Sequence, residues 1–137
     1  MFPHAKMQQA VDAYIRAYNA KDVEGMLANL HPEISFRNLS RGEVTLETEG
    51  VDQFREAAEQ AAAIFTTRSM TPLGFHFGDD VTSVLVDFSG ELAVDLPDGP
   101  AAGETLKLRG ESVFTFEDGL IVVIEDRSLE NPPACQS

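Results

Sequence analysis

Met7, Ala10, Val11, Tyr14, Ile15 and Tyr18 recur three and four residues apart, the spacing that gathers side chains on one helix face. The pattern predicts a first helix over about residues 5–19. Asp22 is placed to cap a short second helix carrying Val23, Met26, Leu27 and Leu30 on one face. His31-Pro32 should end it, because a residue before proline is pushed out of the helical region. Ile34, Ser35 and Phe36 then suggest a brief strand running to Asn38. A third helix follows Gly50, with Val51, Phe54, Ala57, Ala58, Ala61 and Ile64 as its apolar stripe.

From about residue 67 the period changes to alternation. One strand carries Leu73, Phe75 and Phe77, and Gly78-Asp79-Asp80 reads as a hairpin turn. A second strand covers about 81–92, and the proline- and glycine-containing stretch DLPDGPAAGE reads as a longer loop. A third covers about 105–116, Glu117-Asp118-Gly119 turns the chain, and IVVIEDRS is the fourth. Alternation assigns Phe75, Val84, Phe88, Phe114 and Phe116 to the core. Helices followed by long hairpins argue for an α+β fold: three helices packed on a curved, mixed, mostly antiparallel sheet, a cone-shaped barrel with one mouth. A cone of this kind is a natural small-molecule pocket.

IVVIEDRS also frames the chemistry. Asp126 shares parity with Val122, Ile124 and Ser128, so an inward-facing set would place a carboxyl among apolar groups and raise its pKa. Glu125 would then face outward with Ile121, Val123 and Arg127. The competing placement is a solvated Asp126 at a strand end, paired with Arg127 or Arg68. Asp87 shares a face with Leu85; it is either the second carboxylate of a pair or an acid near a strand end beside Ser89-Gly90. Tyr14 and Tyr18 lie one helical turn apart, and each either turns its hydroxyl into the pocket or packs in the core. His76 reaches the cavity or faces solvent beside the Asp79-Asp80 turn. His31 with Glu33 supplies two ligands without a third, so no metal is expected. Arg109 and Glu111 alternate on an outer face and are expected to pair there. Val113, Ile121 and Val123 would leave the outer face too apolar for water, and a homodimer is expected on that ground.

The 137 residues suit one domain, with a core that needs no staples. The formal net charge of −13 argues against nucleic acid or an anionic membrane surface as partner. The one cysteine, Cys135, permits no internal disulfide, and no apolar run is long enough to span a bilayer. With no secretory h-region, a cytoplasmic location is expected. The chain has no nucleophile elbow, phosphate-binding glycine loop or Cys–His zinc spacing, so no cofactor is expected.

The order of elements, with YIRAYNAKDVEGMLANLHPEISFRN, EGVDQFREAAEQ and LRGESVFTFEDGLIVVIEDRS, resembles the nuclear transport factor two-like fold and, within it, the SnoaL-like polyketide cyclases. The resemblance covers about residues 7–128. It implies a hydrophobic, oxygenated small-molecule ligand handled by acid–base chemistry of isomerase, cyclase, dehydratase or hydrolase type, or bound without chemistry. The acid–base Asp of the cyclases falls on Asp126, with Ser112 in place of a His partner. Ketosteroid isomerases of this fold place carboxyls where this chain has Asn38 and Ser112, and an oxyanion-binding Tyr at Tyr14. Limonene-type epoxide hydrolases match at Asn38, with carboxylates near Asp87 and Asp126. Their water-binding Tyr is Phe36 here, and their bridging Arg is Leu85. The resemblance thus implies Asp126, Asn38 and Tyr14 as catalytic groups. Ser112, Asp87, Phe36, Tyr18, Leu85 and His76 are candidates to line the ligand.

Overall fold

Helix α1 (His4–Asn19) buries Met7, Val11, Tyr14 and Ile15, the stripe expected from the spacing, in a computed structural model that describes residues 2–40, 42–97 and 99–128. Cys135 lies outside the described residues. Asp22 caps α2 (Val23–Leu27) by accepting a hydrogen bond from the Gly25 backbone N–H at 3.1 Å. This helix is shorter than expected: Ala28 closes it, and Leu30 begins β1 (Leu30–Ser40). His31-Pro32 therefore sits inside a strand, in the stretch where β1 slips register against its neighbour and a missing N–H is tolerated.

Strand β2 (Glu43–Glu49) pairs antiparallel with β1 and is absent from the sequence reading. Val44 and Leu46 are exposed and only Thr48 is buried, so no apolar face announces it. Helix α3 (Val51–Ile64) follows Gly50, whose φ of 87° is a conformation that favours glycine. It buries Phe54 and Ala58. Strands β3 (Phe65–Gly78), β4 (Val81–Leu92), β5 (Thr105–Glu117) and β6 (Leu120–Ser128) complete one sheet in the order β2-β1-β6-β5-β4-β3. Every pair is antiparallel except β1–β6. The α+β architecture is as expected, but the sheet is open rather than a closed barrel, with β2 and β3 as free edges.

The helices and the inward sheet face share one core in which Val84, Phe114, Phe116, Ile121 and Ile124 are buried, with Phe75 packed against it. Ile121 was expected outside. Thr115 opposes Val123 while Phe116 opposes Ile121, so Val122 is an extra residue in β6 and parity reverses across this bulge. Ile121 and Ile124, three apart, both point inward. The outer face thereby loses one of the three residues from which a homodimer was expected. No helix among the described residues is long and apolar enough to cross a membrane.

Candidate functional site

Beyond the bulge, β6 alternates cleanly and carries Asp126 inward on the same side as Ile124. Ser112 of β5 is its cross-strand partner and donates through Oγ to Asp126 Oδ1 at 2.7 Å. Ser112 is buried, whereas Asp126 keeps partial access because its carboxyl opens on a cavity of about 320 Å³. Tyr18, Met70, Val86, Phe88 and Leu108 supply its apolar wall, and Arg109, Glu111 and Arg127 also line it. A smaller chamber of about 80 Å³ lies among Tyr14, Phe36, Phe54, Ala58 and Arg68, and Tyr18 and Asp126 line both spaces.

Burial raises the Asp126 carboxyl from its ordinary 3.8 to about 6, and the Ser112 hydrogen bond works against that rise. An acid poised there exchanges a proton near neutral pH. Burial, reinforced by the nearby Asp126 carboxylate, also pushes the Tyr14 phenol well above its ordinary value. It pushes Tyr18 up to about 12, with Arg68 pulling the other way. Both phenols therefore stay protonated donors. Tyr14 packs edge-on to Phe114, with ring centroids 5.7 Å apart.

Asn38 stands opposite Asp126 in the parallel β1–β6 pair and lines the larger cavity. Its Nδ2 donates to Thr45 Oγ1 at 2.8 Å, so one amide donor is committed to β2. Phe36 lines the chamber, edge-on to Phe54. The structure thus brings together Asp126, Ser112, Asn38, Tyr14, Tyr18 and Phe36.

Three candidates lie elsewhere. Leu85 and Asp87 sit on the sheet face turned away from the helices, because Val84, Val86 and Phe88 take the inward parity of β4. Leu85 is exposed, and Asp87 accepts from Arg109 Nε at 2.8 Å. Arg109 thus pairs with Asp87, while Glu111 accepts from Arg127. His76 is exposed between the inward Phe75 and Phe77, on the parity facing away from the core. Nor does an arginine neutralise Asp126 among the described residues: Arg127 pairs with Glu125 and Glu111.

Arg68 was not among the residues expected to line the pocket. It is buried at 5% exposure on β3, and its shared parity with the buried Met70 was the available signal. Away from the cavity, His31, Glu117 and Asp118 each bring one ligand atom within 4.8 Å of the others, both acids being exposed. His31 Nδ1 also accepts from the Glu33 backbone N–H at 3.0 Å.

Helices covering one face of an open mixed sheet give the nuclear transport factor two-like fold, shared with solved structures described as ketosteroid isomerase-like and NTF2-like. The chain belongs to the SnoaL-like domain family, whose model matches residues 11–124. Its structure is similar to that of TsrD from Streptomyces laurentii, 24% identical, with a TM-score of 0.77 over 94% of this chain and 92% of that one. A putative polyketide cyclase from Xanthomonas campestris is 20% identical, with a TM-score of 0.76 over 90% of each chain. An LEH-like epoxide hydrolase from M. tuberculosis is 14% identical, with a TM-score of 0.72 over 90% of this chain and 83% of that one. At these identities the likeness speaks for the fold. No curated protein matches the chain.

Proposed function

We propose that this protein is a small acid–base enzyme acting on a hydrophobic, oxygenated compound, with Asp126 moving the proton. The observation that carries the reading is a carboxyl raised to about 6 beside the apolar wall of a cavity, held by Ser112 Oγ at 2.7 Å. In its ionised form Asp126 is a base strong enough to take a proton from carbon beside a carbonyl, or from a water or hydroxyl. Once protonated it returns that proton to the product. Tyr14 and Tyr18, kept as donors by burial, are suited to the oxygen on which charge develops. Asn38 orients substrate or water through the part of its amide not committed to Thr45. The cyclase and epoxide hydrolase descriptions of related folds are compatible with chemistry of this type.

The second reading is a pocket that binds without turnover, and the engagement of Asn38 Nδ2 by Thr45 is the observation that favours it. Proton exchange separates the two. The protein is incubated in heavy water with 2-tetralone, a hydrophobic ketone with acidic α-hydrogens, and deuterium uptake is followed by NMR. Uptake above the buffer rate that is lost in Asp126→Asn supports the enzyme. Saturable binding without uptake supports the binding protein.

A further inference from the structure

Arg68 is the most heavily buried charged side chain of the pocket, and its Nη2 has no hydrogen-bond partner. No carboxylate among the described residues forms an ion pair with it. Asp126, the carboxylate lining the same chamber, is engaged by Ser112 instead. A buried cation without a counter-charge is costly, and an arginine serving structure alone is ordinarily given an acid.

The guanidinium is nevertheless held firmly. Its Nε donates to the Tyr18 carbonyl at 2.9 Å, and its plane lies over the Tyr18 ring, 3.7 Å from the centroid. Two residues along, Asn19 donates to the Met70 carbonyl at 3.1 Å and accepts the Met70 N–H at 2.7 Å, fastening β3 to the end of α1. Lys21 adds a bond from Nζ to the Phe65 carbonyl at 2.7 Å. The cation is thus fixed before any ligand arrives, and Arg68 itself lines the chamber.

We propose that Arg68 is a ligand-binding residue that receives an anionic oxygen, a carboxylate or enolate, placed in the small chamber while the ligand's apolar body fills the larger cavity. The inference rests on the pocket reading above and narrows its ligand to compounds that carry or develop an oxyanion. Tyr18 and Asp126, lining both spaces, would lie where headgroup and body meet.

The test compares 2-naphthoate with 2-naphthamide, two probes of one shape and different charge, by calorimetry on the full chain. At about pH 5, Asp126 holds its proton and the naphthoate has lost its own, so like-charge repulsion is absent. Wild type should bind the naphthoate about tenfold or more tighter than the amide, as expected for a charge-assisted contact. Arg68→Gln should abolish that preference while leaving naphthamide affinity nearly unchanged, and Arg68→Lys should keep part of it. Circular dichroism reports whether each variant folds, and the wild-type comparison stands even where one does not. Equal binding of both probes by wild type overturns the role of Arg68 and leaves the pocket standing. A preference that survives Arg68→Gln overturns it as well. Failure of both probes to bind overturns the pocket reading and this inference together.

Discussion

Glu125 and Asp126 are neighbours in the chain and sit on opposite faces of β6 in opposite electrostatic surroundings. Glu125 accepts from Arg127 Nε at 2.6 Å and Arg37 Nη2 at 2.7 Å, and these bonds hold its carboxyl below the ordinary range. Asp126 faces the cavity with a single hydroxyl partner, and burial raises it to about 6. Two carboxyls of nearly equal intrinsic strength are separated by the pleat alone. One is held more firmly as an anion by its arginine partners, while the other can exchange a proton near neutrality.

That contrast predicts unequal effects of two conservative substitutions. Asp126→Asn should lower proton-transfer activity about 10²-fold or more, the usual contribution of a positioned acid–base group. Glu125→Gln should leave it within about twofold, because its carboxyl faces away from the cavity. Deuterium uptake by 2-tetralone measures both. Equal rates in wild type and Asp126→Asn would remove Asp126 from the mechanism.

Stability should respond to Asp126 with a definite sign. The folded chain holds this proton up to about pH 6, whereas the unfolded chain releases it near 3.8. Between those values the folded state binds more protons, so the contribution is fully present below the lower pKa and is lost as pH rises through the upper one. The difference corresponds to about 3 kcal/mol, an order of magnitude for one buried acid. Asp126→Asn, which carries no charge at any pH, should therefore melt higher than wild type at about pH 8. The margin should shrink towards about pH 4. Thermal unfolding at both values checks it, and a constant margin would contradict a raised Asp126.

Ser112→Ala tests the opposing influence. The hydroxyl lowers the Asp126 pKa by hydrogen bonding its carboxylate, so removal should raise that pKa further above 6. A carbon-detected NMR titration of the Asp126 carboxyl reads the change directly, and any activity–pH profile should move its acidic limb the same way. A downward shift would mean that water replaces the hydroxyl more effectively than the native geometry allows.

The helices were legible because burial is periodic in them: Met7, Val11, Tyr14 and Ile15 announce α1 before any contact is known. Strand β2 was illegible for the converse reason, since Val44 and Leu46 are apolar residues left in solvent. Parity placed Asp126 beside Ile124, yet it misplaced Ile121, because one extra residue at Val122 reverses every side chain before it. The alternation of Val84, Val86 and Phe88 already turned Leu85 and Asp87 outward; family resemblance had drawn Leu85 to the ligand, and resemblance together with its place in an apolar run had drawn Asp87. Arg68 stayed hidden because a charge on a strand at the sheet's edge ordinarily reads as solvated. Only the packing of α1 over that edge buries it.

Asn19 performs the work of a missing neighbour strand. Edge strand β3 leaves the Met70 N–H and carbonyl facing away from β4, and the Asn19 amide satisfies both. Asn19→Ala removes both partners from a partly buried site and should destabilise the fold by about 1–3 kcal/mol. Asn19→Asp should be intermediate, since it keeps the acceptor and loses the donor. Urea unfolding of the three proteins orders them, and equal midpoints would show that water satisfies Met70 unaided.

Gly110 makes the final case, in which backbone approach and cavity chemistry meet. It pairs with Ser128 across β5–β6, and a Cβ at this position would lie 2.7 Å from the carbonyl oxygen of Arg127. Backbone cannot rotate aside as a side chain can, so Gly110→Ala must part the two strands locally, costing about 1–3 kcal/mol. Gly110 lines the same cavity as Ser112 and Asp126, two residues from the hydrogen bond that joins them. Parting the strands there admits more water to a carboxyl whose raised pKa arises from its burial. Gly110→Ala should therefore lower the midpoint of unfolding and move the Asp126 pKa down from about 6 towards its ordinary 3.8. The same NMR titration and a urea melt read the two effects. Loss of stability with an unmoved Asp126 pKa would show that the acid's environment is set by the apolar wall and not by closure of the β5–β6 seam.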